Sequence, residues 1–304
     1  MNNDQKFAGI YPAFYACYDD NGQVSPSRTE AFVEYLIGKG IDGLYICGSS
    51  GECIYQTVSE RKLTLEAAMS VARGRVKVIA HVACNGIAES RELARHAQSQ
   101  GVDAIAAIPP IYFKLPEASV AEYWNSISEA APDTPFFVYN IPQLAGIELT
   151  APLLKKLLEN KNVVGVKNSS PSIMDIIHWR AVAGTEFAVF NGCDEQLIAG
   201  LAAGACGGIG GTYGAMPELY VKLYSLVKSG ELERAKQLQL DIYKLILGIF
   251  DIGNMFPVVK AVVHHRALDI GEARSPLPRI SLDNVSAVEA LVSRIDRTVE
   301  EYCG

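Results

Sequence analysis

The sequence predicts an α/β protein: a (β/α)8 TIM barrel with a C-terminal helical extension. Three observations carry this prediction. Short apolar runs alternate with helix-spaced segments eight times between Gly9 and Gly211. Those runs are apolar almost throughout, as parallel strands buried on both faces require. The phosphate-binding fingerprints of open nucleotide-binding sheets are missing, with no GxGxxG after the first run and no GxxxxGK[ST] in the chain. Eight repeats without either motif favour closure into a barrel.

Gly9 to Ala16 is the first extended run, and Ser27 to Gly40 follows with Phe32, Tyr35 and Leu36 on one helical face. Gly38-Lys39-Gly40 stops that helix. Gly43 to Gly48 is a short buried strand, and Thr57 with Glu60 has capping-box spacing for a helix running to about Gly74. Val76 to Ala83 and Ala88 to Gln100 form the third strand–helix pair. Ala104 to Ile108 ends at Pro109-Pro110, which can extend neither ladder nor helix, and Ala118 to Ala131 is its helix.

Phe136 to Tyr139 pairs with Thr150 to Glu159, Val163 to Lys167 with Ser172 to Val182, and Phe187 to Phe190 with Asp194 to Ala203. Cys206 to Gly210 is a short eighth strand. Beyond Gly211 the rhythm changes to helices alone, over 217–228, 231–249, 257–267 and 283–302, with breaks at Asn254, Pro276 and Pro278. The chain divides accordingly into a barrel over residues 1–230, carrying the active site, and a helical extension over 231–304.

The 304 residues are 49% hydrophobic and 20% charged, the composition of a globular protein with a substantial core. A net charge of −7 offers no electrostatic footprint for nucleic acid or an anionic membrane. Residues 1–6 lack the basic and apolar regions of a signal peptide, and no apolar run is long enough to span a bilayer. Seven scattered cysteines, odd in number and without a CxxC pair, fit reduced thiols in a cytoplasmic protein. The histidines (His81, His96, His178, His264 and His265) form neither HxxxH nor HExxH, so no metal is expected.

In such a barrel the chemistry sits at the carboxyl ends of the strands. The sixth strand gives out at Lys167-Asn168-Ser169-Ser170. Lysine is rarely buried without a partner; here it either caps the strand in solvent or aims an amine into a cleft. Desolvation in a cleft frees a neutral amine that can form a Schiff base with a carbonyl substrate. The second strand ends in Gly48-Ser49-Ser50-Gly51-Glu52, either a tight Ser/Gly turn or a cradle of hydroxyls and backbone N–H groups for a carboxylate.

Tyr112 follows the fourth strand and Tyr139 closes the fifth; each is a packing residue or a phenol able to relay a proton. The seventh strand ends in Asn191-Gly192-Cys193-Asp194-Glu195, whose acids either complement a helix dipole or bind sugar hydroxyls. The eighth ends in Gly207-Gly208-Ile209-Gly210-Gly211, where glycines let backbone approach a ligand. Without a metal pattern to hold an enolate, an iminium on Lys167 is the consistent electron sink for carbon–carbon chemistry.

Together these residues resemble the pyruvate-dependent class I aldolases that include N-acetylneuraminate lyase and dihydrodipicolinate synthase, over nearly the whole chain. Gly48-Ser49-Ser50-Gly51-Glu52 is similar to the family's GS[ST]GE or TTGE loop, and Tyr139-Asn140-Ile141-Pro142 to its YN[IV]P segment. Lys167 falls at its Schiff-base position. The resemblance implies that Lys167 forms the imine, that Ser49 and Ser50 hold the pyruvyl carboxylate, and that Tyr139 transfers the proton. Tyr112 resembles the tyrosine that reaches a neighbouring subunit's relay, which implies a homotetramer built as a dimer of dimers.

The lyase branch is favoured, because Ile41-Asp42-Gly43-Leu44-Tyr45 and the segments 191–195 and 203–210 read like the lyase's. The resemblance then implies that Ser169, Asp194 and Glu195 contact the hydroxyls of a sugar acid, with Gly192, Gly210 and Gly211 at the same pocket. The synthase branch places an arginine five residues after the tyrosine; this chain has Leu144 there, which cannot supply a bidentate fork. Two departures bear on the substrate: Gly211 stands where the lyase commonly has a serine, and Cys193 where an aromatic residue is often seen.

The expected function is cleavage of N-acetylneuraminate or a similar 2-oxo-sugar acid to pyruvate and an aldehyde such as N-acetylmannosamine. No cofactor is expected beyond the covalent imine, and the expected partners are small molecules. Two alternatives stand beside this: a dihydrodipicolinate synthase or another 2-oxo-acid aldolase or hydratase, and a non-catalytic barrel that binds a keto acid.

Overall fold

The computed structural model describes residues 2–304; Met1, where the sequence-drawn barrel segment begins, lies outside the described residues. Eight strands carry the fold: β1 (Gly9–Pro12), β2 (Gly43–Ile46), β3 (Lys77–His81), β4 (Ala104–Ala107), β5 (Phe136–Asn140), β6 (Val163–Asn168), β7 (Ala188–Asn191) and β8 (Gly207–Gly210). They form one parallel sheet in the order β1-β8-β7-β6-β5-β4-β3-β2. A parallel bridge between Ala13 and Tyr45 brings β1 back to β2, with the Phe14 N–H donating to the Tyr45 carbonyl at 2.9 Å. The sheet therefore closes into the (β/α)8 barrel that the sequence predicts.

The strands are apolar throughout because they bury two distinct faces. Outward residues such as Ile10, Leu44, Val78, Val138 and Val166 pack with the surrounding helices in one large core. Inward residues, among them Tyr11, Tyr45, Ile79, Phe137, Tyr139 and Phe190, form a second core inside the barrel. Aromatic rings fill that interior: Tyr11 meets Phe190 and Phe7 meets Phe137 edge-on, each at 5.0 Å. Phe7 is brought in by a short helix, Asn3–Lys6, that the sequence reading did not anticipate. Gly165 is required by this packing, since a Cβ there would fall 2.2 Å from the Phe137 ring and 2.4 Å from the Ala188 carbonyl oxygen. Side chains alternate along a strand, so Lys167, two residues past Gly165, faces inward as well.

The expected helix over Asp194–Ala203 is a 3-10 turn, Asp194–Gln196, followed by Leu197–Ala202. In the C-terminal extension lie the helices Leu232–Ile252, Met255–Arg266 and Val285–Cys303. Met255–Arg266 starts ahead of Pro257 because the Asn254 side chain caps it, accepting from the Phe256 N–H at 3.0 Å. Proline within a first turn loses no helical hydrogen bond. This helix packs on the turn Thr212–Gly214 after β8, which brings the extension to the barrel mouth. Among the described residues, no single helix is long and apolar enough to cross a membrane.

Candidate active site

Three strands bring one amine between two aromatic rings. Lys167 on β6 is only 3% exposed, and its Nζ lies 4.0 Å from the centroid of the Tyr139 ring and 4.0 Å from that of Tyr45. Tyr139 is the register partner of Lys167 across β5 and β6. Tyr45 reaches in from β2, with its ring 5.7 Å from that of Tyr139 at 80°, and its buried hydroxyl has no protein partner. The lysine thus points into the barrel mouth between two aromatic faces rather than out to solvent.

His81 at the end of β3 completes the wall, 6.1 Å from the Tyr139 ring. Its Nδ1 lies 3.0 Å from the Cys47 carbonyl, and its Nε2 accepts from the Ile108 N–H at 3.3 Å. These two bonds specify a neutral imidazole with the proton on Nδ1. Burial, with the nearby Arg61 and Lys167 cations, holds its pKa well below the usual value.

The turn after β2 lies beside this cluster. Ser50 is buried and Ser49 half-buried, and the turn closes through the Glu52 N–H donating to the Ser49 carbonyl at 2.9 Å. Gly48 backs onto the active-site ring, since a Cβ there would fall 2.6 Å from Tyr45. Ser169 is buried two residues beyond Lys167. The glycines at the mouth make room for protein groups. A Cβ on Gly192 would fall 2.2 Å from Ser169 Oγ, and one on Gly210 would fall 2.1 Å from Asp194 Oδ1. One on Gly211 would lie 3.0 Å from Met255 Cε and 3.5 Å from Ser50 Oγ.

The neighbouring acids part company. Asp194 is buried, and its Oδ2 accepts from the Thr212 N–H at 2.7 Å and from the Thr212 hydroxyl at 2.5 Å. Its Oδ1 is buried without a partner. Burial pushes this carboxyl up to about 7, against the opposing pull of the Thr212 donors and the Lys167 charge. Glu195 is exposed. Tyr112 does not join the Lys167 cluster of its own chain; it is 90% exposed at φ +87° and packs edge-on against Phe113 at 4.9 Å.

The structure thus gathers Lys167, Tyr139, Ser49, Ser50, Ser169, Gly192, Asp194, Gly210 and Gly211 around the carboxyl ends of the strands, with Glu195 at the solvent side and Tyr112 apart. Sequence reasoning missed Tyr45 and His81 as members of the site. Their signal was parity: each is a polar aromatic on the inward face of its strand. Among the described residues, no three His, Cys, Asp or Glu side chains converge as a metal site would need.

Comparison with known proteins agrees with this fold. Residues 6–295 match the dihydrodipicolinate synthetase family. The chain is 50% identical to an N-acetylneuraminate lyase of Mediterraneibacter gnavus, covering 97% of this chain and 94% of that protein. It is 32% identical to an N-acetylneuraminate lyase of Salmonella agona, covering 94% and 96%. A solved structure of Ruminococcus gnavus sialic acid aldolase, a catalytic lysine mutant, matches with a TM-score of 0.98 at 48% identity, covering 99% of this chain and 100% of that one. With eight parallel strands in a closed barrel and a family match spanning nearly its full length, the chain belongs to the dihydrodipicolinate synthetase family.

Proposed function

We propose that this protein is a class I aldolase that cleaves N-acetylneuraminate to pyruvate and N-acetylmannosamine through an imine on Lys167. The observation that carries the reading is the placement of the Lys167 amine, buried at a strand end between Tyr139 and Tyr45 and beside the Ser49-Ser50 turn. The 50% identity to an N-acetylneuraminate lyase supports the choice of substrate.

The Lys167 amine adds to the C2 keto carbon and expels water, leaving an iminium. Hydroxyls and N–H groups of the Ser49-Ser50 turn hold the C1 carboxylate, which orients C2 toward the amine. Tyr139 takes the proton of the C4 hydroxyl as the C3–C4 bond breaks. The bond pair flows into the iminium, giving an enamine, and the aldehyde leaves. Tyr139 then returns the proton to C3, and water hydrolyses the imine to free pyruvate and Lys167. Asp194 and Ser169 face the rest of the sugar acid, where the unpartnered Asp194 Oδ1 is free to accept from a hydroxyl. At the position where a synthase would need arginine stands Leu144, 66% exposed and unable to pair with a second carboxylate.

On the same reading the enzyme is a cytoplasmic homotetramer, a dimer of dimers, in which a second copy of the chain covers the exposed Tyr112 and Phe113. Incubation with pyruvate and borohydride is expected to leave a stable adduct on Lys167, and pyruvate release from N-acetylneuraminate should fall by several orders of magnitude in Lys167→Ala. An active enzyme with an unmodified Lys167 would refute the mechanism, and imine trapping without turnover on N-acetylneuraminate would refute the substrate.

A further inference from the structure

The extension reaches the carboxylate turn through one buried ion pair. Lys260, in helix Met255–Arg266, is 2% exposed, and Glu52, the last residue of the turn after β2, is 1% exposed. The Lys260 ammonium donates to Glu52 Oε1 at 3.4 Å and to the Glu272 carbonyl at 2.8 Å, and it sits 4.6 Å over the Tyr18 ring. The other carboxylate oxygen, Glu52 Oε2, accepts from the Tyr18 hydroxyl at 3.2 Å and from the Arg274 N–H at 2.9 Å. Two of the three groups that grip Glu52 therefore come from residues 260–274, far along the chain.

Stability alone is a poor reason for this arrangement, because a buried ion pair contributes little more than well-packed apolar residues of the same volume. The turn itself supplies a better one. Cys47 and Glu52, which bracket Ser49 and Ser50, have φ of 59° and 53°, in the left-handed region. Residues with a Cβ stay there only when their surroundings hold them. The ends of the turn are also in contact, since a Cβ on Gly51 would fall 3.0 Å from Cys47 Cα. A shift at Glu52 is therefore passed to the two serines rather than absorbed by slack in the loop.

We propose that Lys260 is a positioning residue for the carboxylate of the 2-oxo acid: through Glu52 it holds the Ser49-Ser50 turn in its binding geometry without touching substrate. The proposal rests on the reading of the site as a pyruvyl-binding site. It assigns Lys260 a part in binding the keto acid and none in binding the aldehyde.

The test uses the full chain with pyruvate as the probe. Borohydride trapping at Lys167 is followed against pyruvate concentration in the wild type, Lys260→Met and Tyr18→Phe, and the KM for N-acetylmannosamine is measured in the condensation direction at saturating pyruvate. Losing the cation that pairs with a buried carboxylate should raise the half-saturating pyruvate concentration about tenfold or more. The KM for N-acetylmannosamine should stay unchanged. Tyr18→Phe removes one hydroxyl and keeps the ring, so it should shift pyruvate binding in the same direction by less, and it serves if Lys260→Met does not fold.

Unchanged pyruvate saturation in the variants that fold overturns the proposal. So does a parallel rise in both KM values, which general loosening of the barrel would give. A wild type that traps no pyruvate refutes the reading of the site and the proposal with it; a wild type that traps pyruvate while the variants match it refutes the proposal alone.

Discussion

Replacing Asp194 by asparagine should stabilise the protein above neutral pH while weakening its hold on a sugar acid. Burial raises the Asp194 carboxyl from 3.8 to about 7, with the Thr212 donors and Lys167 opposing the rise. Between those two values the folded protein keeps a proton that the unfolded chain has released. Stability therefore falls as pH rises through this window and levels off above it. The full cost is on the order of 4 kcal/mol, at about 1.4 kcal/mol per pKa unit, and about 3 kcal/mol of it accrues between pH 5 and pH 8. Asparagine does not titrate. Its Oδ1 can accept both Thr212 bonds, and its Nδ2 stands where the unpartnered Asp194 Oδ1 now lies.

Urea unfolding of both proteins across that pH range reads the effect directly. The stability of Asp194→Asn minus that of the wild type should climb by about 3 kcal/mol from pH 5 to pH 8. A difference that stays flat would show that the buried carboxyl does not titrate as its surroundings imply. In the same variant the KM for N-acetylneuraminate should rise while borohydride trapping of pyruvate at Lys167 is unaffected, because on the proposed reading Asp194 meets the sugar chain and not the imine.

Tyr139→Phe should lower kcat for cleavage by roughly 10²–10⁴-fold; since the ring over Lys167 is retained, pyruvate should still be trapped by borohydride, and loss of trapping would show that the phenol is needed to form the imine. Gly165→Ala places a methyl 2.2 Å from the Phe137 ring and 2.4 Å from a backbone oxygen. That overpacking should cost at least about 1–3 kcal/mol, read as a lower thermal midpoint, and an unchanged midpoint would mean that the barrel interior yields more than its packing suggests.

The barrel is legible in the sequence because each of its strands is buried on both faces, so each appears as an apolar run of about the right length. Lys167 is legible for the same reason: a charged residue at the end of such a run needs an explanation, and its place at a strand's carboxyl end, with a Ser/Gly turn and a tyrosine at other strand ends, supplies it. The short helix Asn3–Lys6 has no periodicity to read. It exists because the Asn2 side chain caps it and because Asp4 pairs with Arg180 from the far side of the chain. The start of helix Met255–Arg266 was obscured by Pro257, which looks like a boundary but is tolerated in a first turn.

What the sequence hides is which of two similar neighbours goes inside. Asp194 and Glu195 are adjacent acids with the same pattern around them, yet one is buried with its carboxylate bonded to Thr212 and the other is exposed. The choice is made by residues at and just after the end of β8. Thr212 supplies two donors, and Gly210 supplies the space, since any side chain there would occupy the position of Asp194 Oδ1. The glycines at the end of β8 read in the sequence as places where backbone meets ligand; in the fold Gly210 is first the place where Asp194 fits. The same logic joins Glu52 to Lys260, 208 residues away. Both motifs are locally readable, while the groups that hold Asp194 and Glu52 stand on other elements, at a separation that no periodicity within either segment can register.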